Sequence, residues 1–168
     1  MKLLKLTVLT SLLFAALATM SSCEKEAEKK KANVYTKTDI IMTGAQAVPQ
    51  STSTGSGTLS VSYDKRTKLL NYTVNWFNLS VKPTSIGIYG PAPAGYMAFT
   101  PTLAPAPPVV NVPLSSSVTT TGSYTGSVLF DGTVLKEQHL LNYHYYVRVN
   151  TTPATYPGGE IRGQIKFQ

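Results

Sequence analysis

Residues 58–76 read TLSVSYDKRTKLLNYTVNW. Leu59, Val61 and Tyr63 alternate with Thr58, Ser60, Ser62 and Asp64. After a polar turn over 64–67, the alternation returns as Leu70, Tyr72, Val74 and Trp76 against Asn71, Thr73 and Asn75. Successive side chains of a strand point to opposite faces, so each run buries one face and wets the other. Two such runs across a tight polar turn predict a β-hairpin. Beyond Trp76 the phase slips, with Phe77 and Leu79 in the apolar positions, which predicts a bulge or a strand end there.

Outward from this hairpin, Ile40 and Met42 predict an earlier strand ended by Gly44, and Ile86 and Ile88 another ended by Gly90-Pro91. Residues 109–112, 116–121 and 127–130 are shorter strand candidates. Tyr145, Val147 and Val149 alternate with Tyr146, Arg148 and Asn150. A final strand sets Ile161, Gly163, Ile165 and Phe167 on one face and Glu160, Arg162 and Gln164 on the other. Residues 133–143 carry the one helical spacing, through Leu135, His139 and Leu140, and hold three turns at most. Residues 90–108, rich in Pro and Ala, predict a long irregular loop. Seven to nine short strands with at most one short helix predict an all-β fold, an antiparallel Greek-key β-sandwich.

The chain has 168 residues, with 15 basic and 8 acidic side chains and a net charge of +7. Lys65, Arg66 and Lys68 share one turn, and the other domain charges are scattered. That distribution lacks the basic stripe of a nucleic-acid partner. Charged residues are only 14% of the chain, and Thr, Ser, Tyr, Val, Gly and Pro take their place, as in an exported β domain.

The start of the chain is built differently. Lys2 and Lys5 precede a run of about fifteen apolar or hydroxylated residues, shorter than the roughly twenty that span a bilayer as a helix. Met20-Ser21-Ser22 then leads into Cys23, the single cysteine. This resembles a bacterial lipobox, in which the thiol is acylated. Acyl chains contribute roughly 0.8 kcal/mol per buried CH₂, enough to hold a soluble domain on a membrane. A charged stretch, EKEAEKKK, follows at 24–31 and reads as a solvated tether. The expected organisation is a lipoprotein signal peptide at 1–22, lipidated Cys23 and tether over 23–36, and a β-sandwich domain over 37–168. The expected location is the bacterial cell envelope, at the outer membrane or cell surface, with the lipid bilayer as one partner.

The sequence closes on Pro157-Gly158-Gly159-Glu160-Ile161-Arg162-Gly163-Gln164. With Thr43-Gly44-Ala45-Gln46-Ala47-Val48-Pro49, Ser85-Ile86-Gly87-Ile88-Tyr89-Gly90-Pro91-Ala92 and Tyr146-Val147-Arg148-Val149-Asn150-Thr151, this block resembles the CHRD domain family from about residue 40 to 167. The resemblance implies an immunoglobulin-like or superoxide-dismutase-like sandwich. Where the family carries histidines, this chain has Gly87, Tyr89 and Asn150, and Ala47 replaces the family glutamate. Metal sites favour imidazole, thiolate or carboxylate groups. The departures therefore imply that any metal site of relatives is lost here, so no metal or other cofactor is expected.

The candidate site residues follow from these positions. Tyr89 and Asn150, with Tyr146 and Arg148 on the same pair of strands, form an expected binding patch, since aromatic rings with polar tips suit glycan stacking or protein contact. Gly158, Gly159, Glu160, Arg162 and Gly163 are read as structural, with Glu160 and Arg162 pairing with each other or with backbone near the glycine turn. His139 and His144 are read as surface or capping residues, because no third ligand is near in sequence. No nucleophile signature such as GxSxG occurs. The expected function is an envelope-anchored binding or assembly module, not an enzyme, with an unknown protein or glycan partner. The alternatives are a metal-binding or redox domain and a carbohydrate-binding module.

Overall fold

Strand β1 (Val34–Thr43) leads into a 3-10 turn at Gly44–Gln46. The strands β2 (Ser56–Asp64), β3 (Leu69–Phe77), β4 (Ser85–Tyr89), β5 (Val110–Pro113) and β6 (Gly122–Leu129) follow. A single turn of helix, α1 (Glu137–Leu141), precedes β7 (Tyr146–Asn150) and β8 (Ile161–Gln164). The structure is a computed structural model that describes residues 33–102 and 104–167. The expected signal peptide, the expected lipidation site at Cys23 and most of the expected tether lie outside the described residues. Residues Tyr35–Gln168 form one compact unit. β1 begins at Val34.

The eight strands hydrogen-bond in the order β5-β4-β7-β8-β1-β2-β3-β6. The sheet curls so that two halves face each other. Leu59, Val61 and Tyr63 of β2 and Leu70, Tyr72, Val74 and Trp76 of β3 share one buried cluster with Ile86 and Ile88 of β4, Val147 and Val149 of β7, and Ile161 of β8. β3 pairs with β6 in one half and β4 with β7 in the other. The β3–β4, β5–β6 and β6–β7 connections therefore cross between halves, which gives the Greek-key sandwich. β1 joins the halves. Its Asp39 N–H donates to Ser60 Oγ of β2, whereas Thr43 pairs with Arg162 of β8. Asp39 itself takes φ 56°, a break in the extended backbone where β1 passes from one half to the other.

The hairpin forms as the alternation predicts, in unbroken register from Ser56↔Phe77 to Asp64↔Leu69. The phase slip is a strand end: β3 stops at Phe77, and Asn78 turns the chain at φ 52°. Residues 116–121 are not a strand, contrary to the sequence pattern. Their hydroxyls bond locally, Thr119 Oγ1 donating to Thr121 O at 2.6 Å, and such bonds compete with a ladder. Residues 127–129 belong to a longer strand, β6, that starts at Gly122, and Phe130 lies just past its end. The helix occupies only Glu137–Leu141 of the 133–143 span. The Asp131 carboxylate holds the Thr133, Val134 and Leu135 amides just before it, so those residues form a turn.

Candidate functional site

The outer face of β4, β7 and β8 carries the residues the sequence singled out. Register places Tyr89 opposite Tyr146, Gly87 opposite Arg148 and Ser85 opposite Asn150. Across the next gap, Tyr146 faces Gln164 and Arg148 faces Arg162. Two like charges directly opposite each other repel, and the tyrosine rings separate them. The Arg148 guanidinium lies over the Tyr89 ring at 4.3 Å, Tyr89 stacks on Tyr146 at 5.6 Å and 13°, and Arg162 lies over Tyr146 at 3.6 Å. The result is a four-layer stack, cation–ring–ring–cation. Desolvated cation–π contacts are worth about 2 kcal/mol each.

Gly87 makes room for it. A Cβ there would sit 2.5 Å from the Tyr89 ring, so the missing side chain lets Tyr89 lean across β4. The Tyr89 hydroxyl then accepts a hydrogen bond from Asn150 Nδ2 at 3.2 Å, and Asn150 also donates to Ser85 Oγ at 3.1 Å. The positions matched to the family's histidines thus do meet, but as a void, a phenol and an amide.

The two guanidiniums do different work. Arg162, 2% exposed, donates to Tyr96 O at 2.8 Å, Pro93 O at 3.4 Å and Gln164 Oε1 at 2.9 Å. Gln164 Nε2 in turn donates to Ala92 O and Tyr143 O. Together they dock the loop over 91–98 onto the sheet. Burial, reinforced by the nearby Arg148 charge, lowers the Arg162 pKa, against an opposing contribution from Tyr146. Arg148 donates to Pro157 O at 2.9 Å, and its Nε has no partner. Arg148, rather than Arg162, holds the glycine turn. Gly159 takes φ 83°, and a Cβ on it would lie 2.9 Å from Arg148 Nε.

The expected pairing of Glu160 with Arg162 does not form. Glu160 is fully buried and accepts from Ser53 Oγ at 2.6 Å, Ser80 N at 2.5 Å and Ser80 Oγ at 3.0 Å. Residues 160 and 162 both flank the core residue Ile161, yet one reaches the loops before β2 and after β3 while the other reaches the loop after β4. A strand-end residue can leave the plane of its neighbours, which alternation alone does not reveal.

Each end of the stack borders a cavity. At the Arg162 end a groove of about 730 Å³ runs between β1 and the 91–98 loop, lined also by Ile41, Gln46 and Lys166. At the Arg148 end a smaller cavity of about 280 Å³ is lined by Tyr89, Asn150, Thr151, Asn111 and Tyr156, among others. Tyr146 belongs to neither: Ala98 and its loop cover the ring, the Ala98 N–H donating to Tyr146 Oη at 3.2 Å. Of the four expected patch residues, three therefore line one cavity and the fourth supports it from beneath. Asn111 was not singled out from the sequence. β5 pairing places Asn111 opposite Gly87, and no local pattern marks that.

The CHRD domain model matches residues 38–165. The chain belongs to the CHRD domain family. No curated protein and no solved structure matches it significantly. A CHRD sandwich invites the comparison with copper- and zinc-binding sandwiches, but the donor set at this site does not suit such an ion. The small cavity is lined by hydroxyls, amides, two phenols, prolines and a guanidinium, with no imidazole, thiolate or carboxylate. The His139 and His144 rings lie 5.8 Å apart beside α1. No group of three or more His, Cys, Asp or Glu suited to a metal occurs among the described residues.

Proposed function

We propose that this CHRD chain is a non-catalytic binding or assembly module of the bacterial cell envelope, anchored through acylated Cys23. Its partner is a protein or a glycan, met at the cavity where Tyr89, Arg148 and Asn150 converge. The carrying observation is the stack that fixes Arg148 over Tyr89 at the rim of a polar cavity. Rigid aromatic and bidentate groups recognise ligands at low entropic cost. The cavity lining supplies no carboxylate or imidazole to act as acid or base, which favours recognition over chemistry.

The anchor rests on the leader and on the solitary cysteine that ends it. Metabolic labelling with a fatty-acid probe tests it: the full chain incorporates label, and Cys23→Ser does not. Binding is tested by panning the labelled chain against envelope glycans and envelope proteins. A partner retained by the native chain and lost by Tyr89→Ala, with the melt otherwise cooperative, supports the reading. A partner that ignores Tyr89 refutes it. The carbohydrate-binding alternative is favoured within this reading by the hydroxyl and amide lining beside Tyr156.

A further inference from the structure

The two buried arginines share an electrostatic oddity. Neither forms an ion pair with a carboxylate among the described residues, where the only salt bridges are Arg66–Asp64 and Lys68–Glu137. Buried charges are ordinarily paired. Arg162 compensates with three acceptors, two of them carbonyls of the 91–98 loop. Arg148, only 9% exposed, has one carbonyl acceptor and an unpartnered Nε.

Two more unpartnered buried atoms lie beside it. Thr151 Oγ1 and Asn150 Oδ1 make no hydrogen bond, and both residues line the small cavity with Arg148. Turning the Asn150 amide over exchanges oxygen for nitrogen but still leaves one end without a partner. A buried polar atom without a partner is costly, and three beside one cavity leave its wall short of hydrogen bonds.

We propose that this cavity binds a small polyhydroxylated carboxylate, a uronic-acid unit of a glycan. The inference rests on the binding reading above and names its ligand. Arg148 supplies the charge that a carboxylate matches. No acidic side chain lines the cavity to repel it. Asn111, Asn150 and Thr84 supply donors and acceptors for ring hydroxyls, and Tyr156 supplies an aromatic wall. At about 280 Å³ the cavity lies just below the usual range of drug-sized ligand sites, roughly 300 to 1,000 Å³, and so suits no more than one sugar unit. A peptide carboxylate fits less well, because its last side chain seeks an aliphatic pocket and the lining holds no Leu, Ile, Val or Met.

Calorimetric titration of the full chain in detergent, with galacturonate, galactose and acetate as probes, tests this. Galacturonate should bind saturably, and galactose and acetate each at least about tenfold more weakly. Arg148→Gln should abolish the preference for the acid. Asn111→Asp, on the exposed edge strand and free of side-chain bonds to the core, should weaken galacturonate more than galactose, because the added charge repels only the acid. It carries the test if the Arg148 variant does not fold. Equal binding of galactose overturns the acid, equal binding of acetate overturns the sugar, and no saturable binding overturns both. If galacturonate fails while another envelope partner still depends on Tyr89, the ligand class falls and the binding site stands. If no partner depends on Tyr89, both fall.

Discussion

The Arg162 guanidinium carbon sits 3.6 Å from the centre of the Tyr146 ring, while the same guanidinium donates to the carbonyls of Pro93 and Tyr96. One side chain thus presses a loop onto a sheet and seals a tyrosine beneath it.

Arg162→Ala should lower stability by about 3 kcal/mol, since it removes charge-assisted bonds and leaves two loop carbonyls without this donor. Arg162→Lys should recover little of this, because a single ammonium cannot reproduce the planar fork. Urea denaturation measures both. An unchanged midpoint for the alanine variant would contradict the docking role.

Glu160 gathers three donors from two loops at one buried carboxylate. Glu160→Gln keeps the shape but turns an amide donor toward groups that themselves donate. A loss of about 2 kcal/mol is expected, with faster hydrogen exchange at the Ser80 amide. Exchange unchanged at Ser80 would show that the carboxylate is not what holds that loop.

Gly159 adopts φ 83° directly against Arg148. Gly159→Ala should cost about 1–3 kcal/mol from backbone strain, with a further penalty where the new methyl meets Arg148 Nε. Thermal melts of this variant and of an Arg148→Ala, Gly159→Ala pair separate the two contributions. If contact with Arg148 matters, the double variant loses less than the sum of the single changes.

Alkali should weaken the fold before it reaches the strongest base. Burial raises the phenols of Tyr63 and Tyr72 to about 12, with the Glu137 charge adding at Tyr63 and Tyr124 at Tyr72. In the unfolded chain both titrate near 10. Between those values the unfolded state has released protons that the folded state still holds, so stability is complete below about pH 10 and is lost as pH rises through about 12. Urea midpoints measured from pH 9 to 12 should fall, and the fall should be shallower in Tyr63→Phe, Tyr72→Phe. At the acid end Asp131 has the opposite sign. Hydrogen bonds from the Thr133 side chain and backbone, and from the Leu135 and Val134 amides, hold its pKa below the usual carboxylate value. Its contribution is present above the ordinary carboxylate range and disappears as pH falls through the lowered value, a dependence that Asp131→Asn should remove.

The hairpin of β2 and β3 was legible residue by residue, because a period of two is a local property and survives any tertiary arrangement. The same holds for the alternation around Val147 and Val149, for the strand end at Trp76 and Phe77, and for the proline-rich loop after Gly90. The segment 116–121 misled, since β-branched hydroxyl residues favour strands and local hydrogen-bonded turns alike. At the site, the sequence brought Tyr89 and Asn150 onto neighbouring strands, but not the partner of either arginine.

The order of residues alone determined an all-β chain of this family, its strand periodicity, its lone cysteine behind an apolar run, and the absence of histidine at Gly87, Tyr89 and Asn150. Only the tertiary structure decided that Glu160 serves Ser53 and Ser80 instead of Arg162, that Arg148 rather than Arg162 grips the glycine turn, and that two rings separate two guanidiniums. Those contacts join groups up to 107 residues apart. Their geometry depends on how a curled sheet brings strand ends and loops together, and no short-range pattern along the chain encodes that.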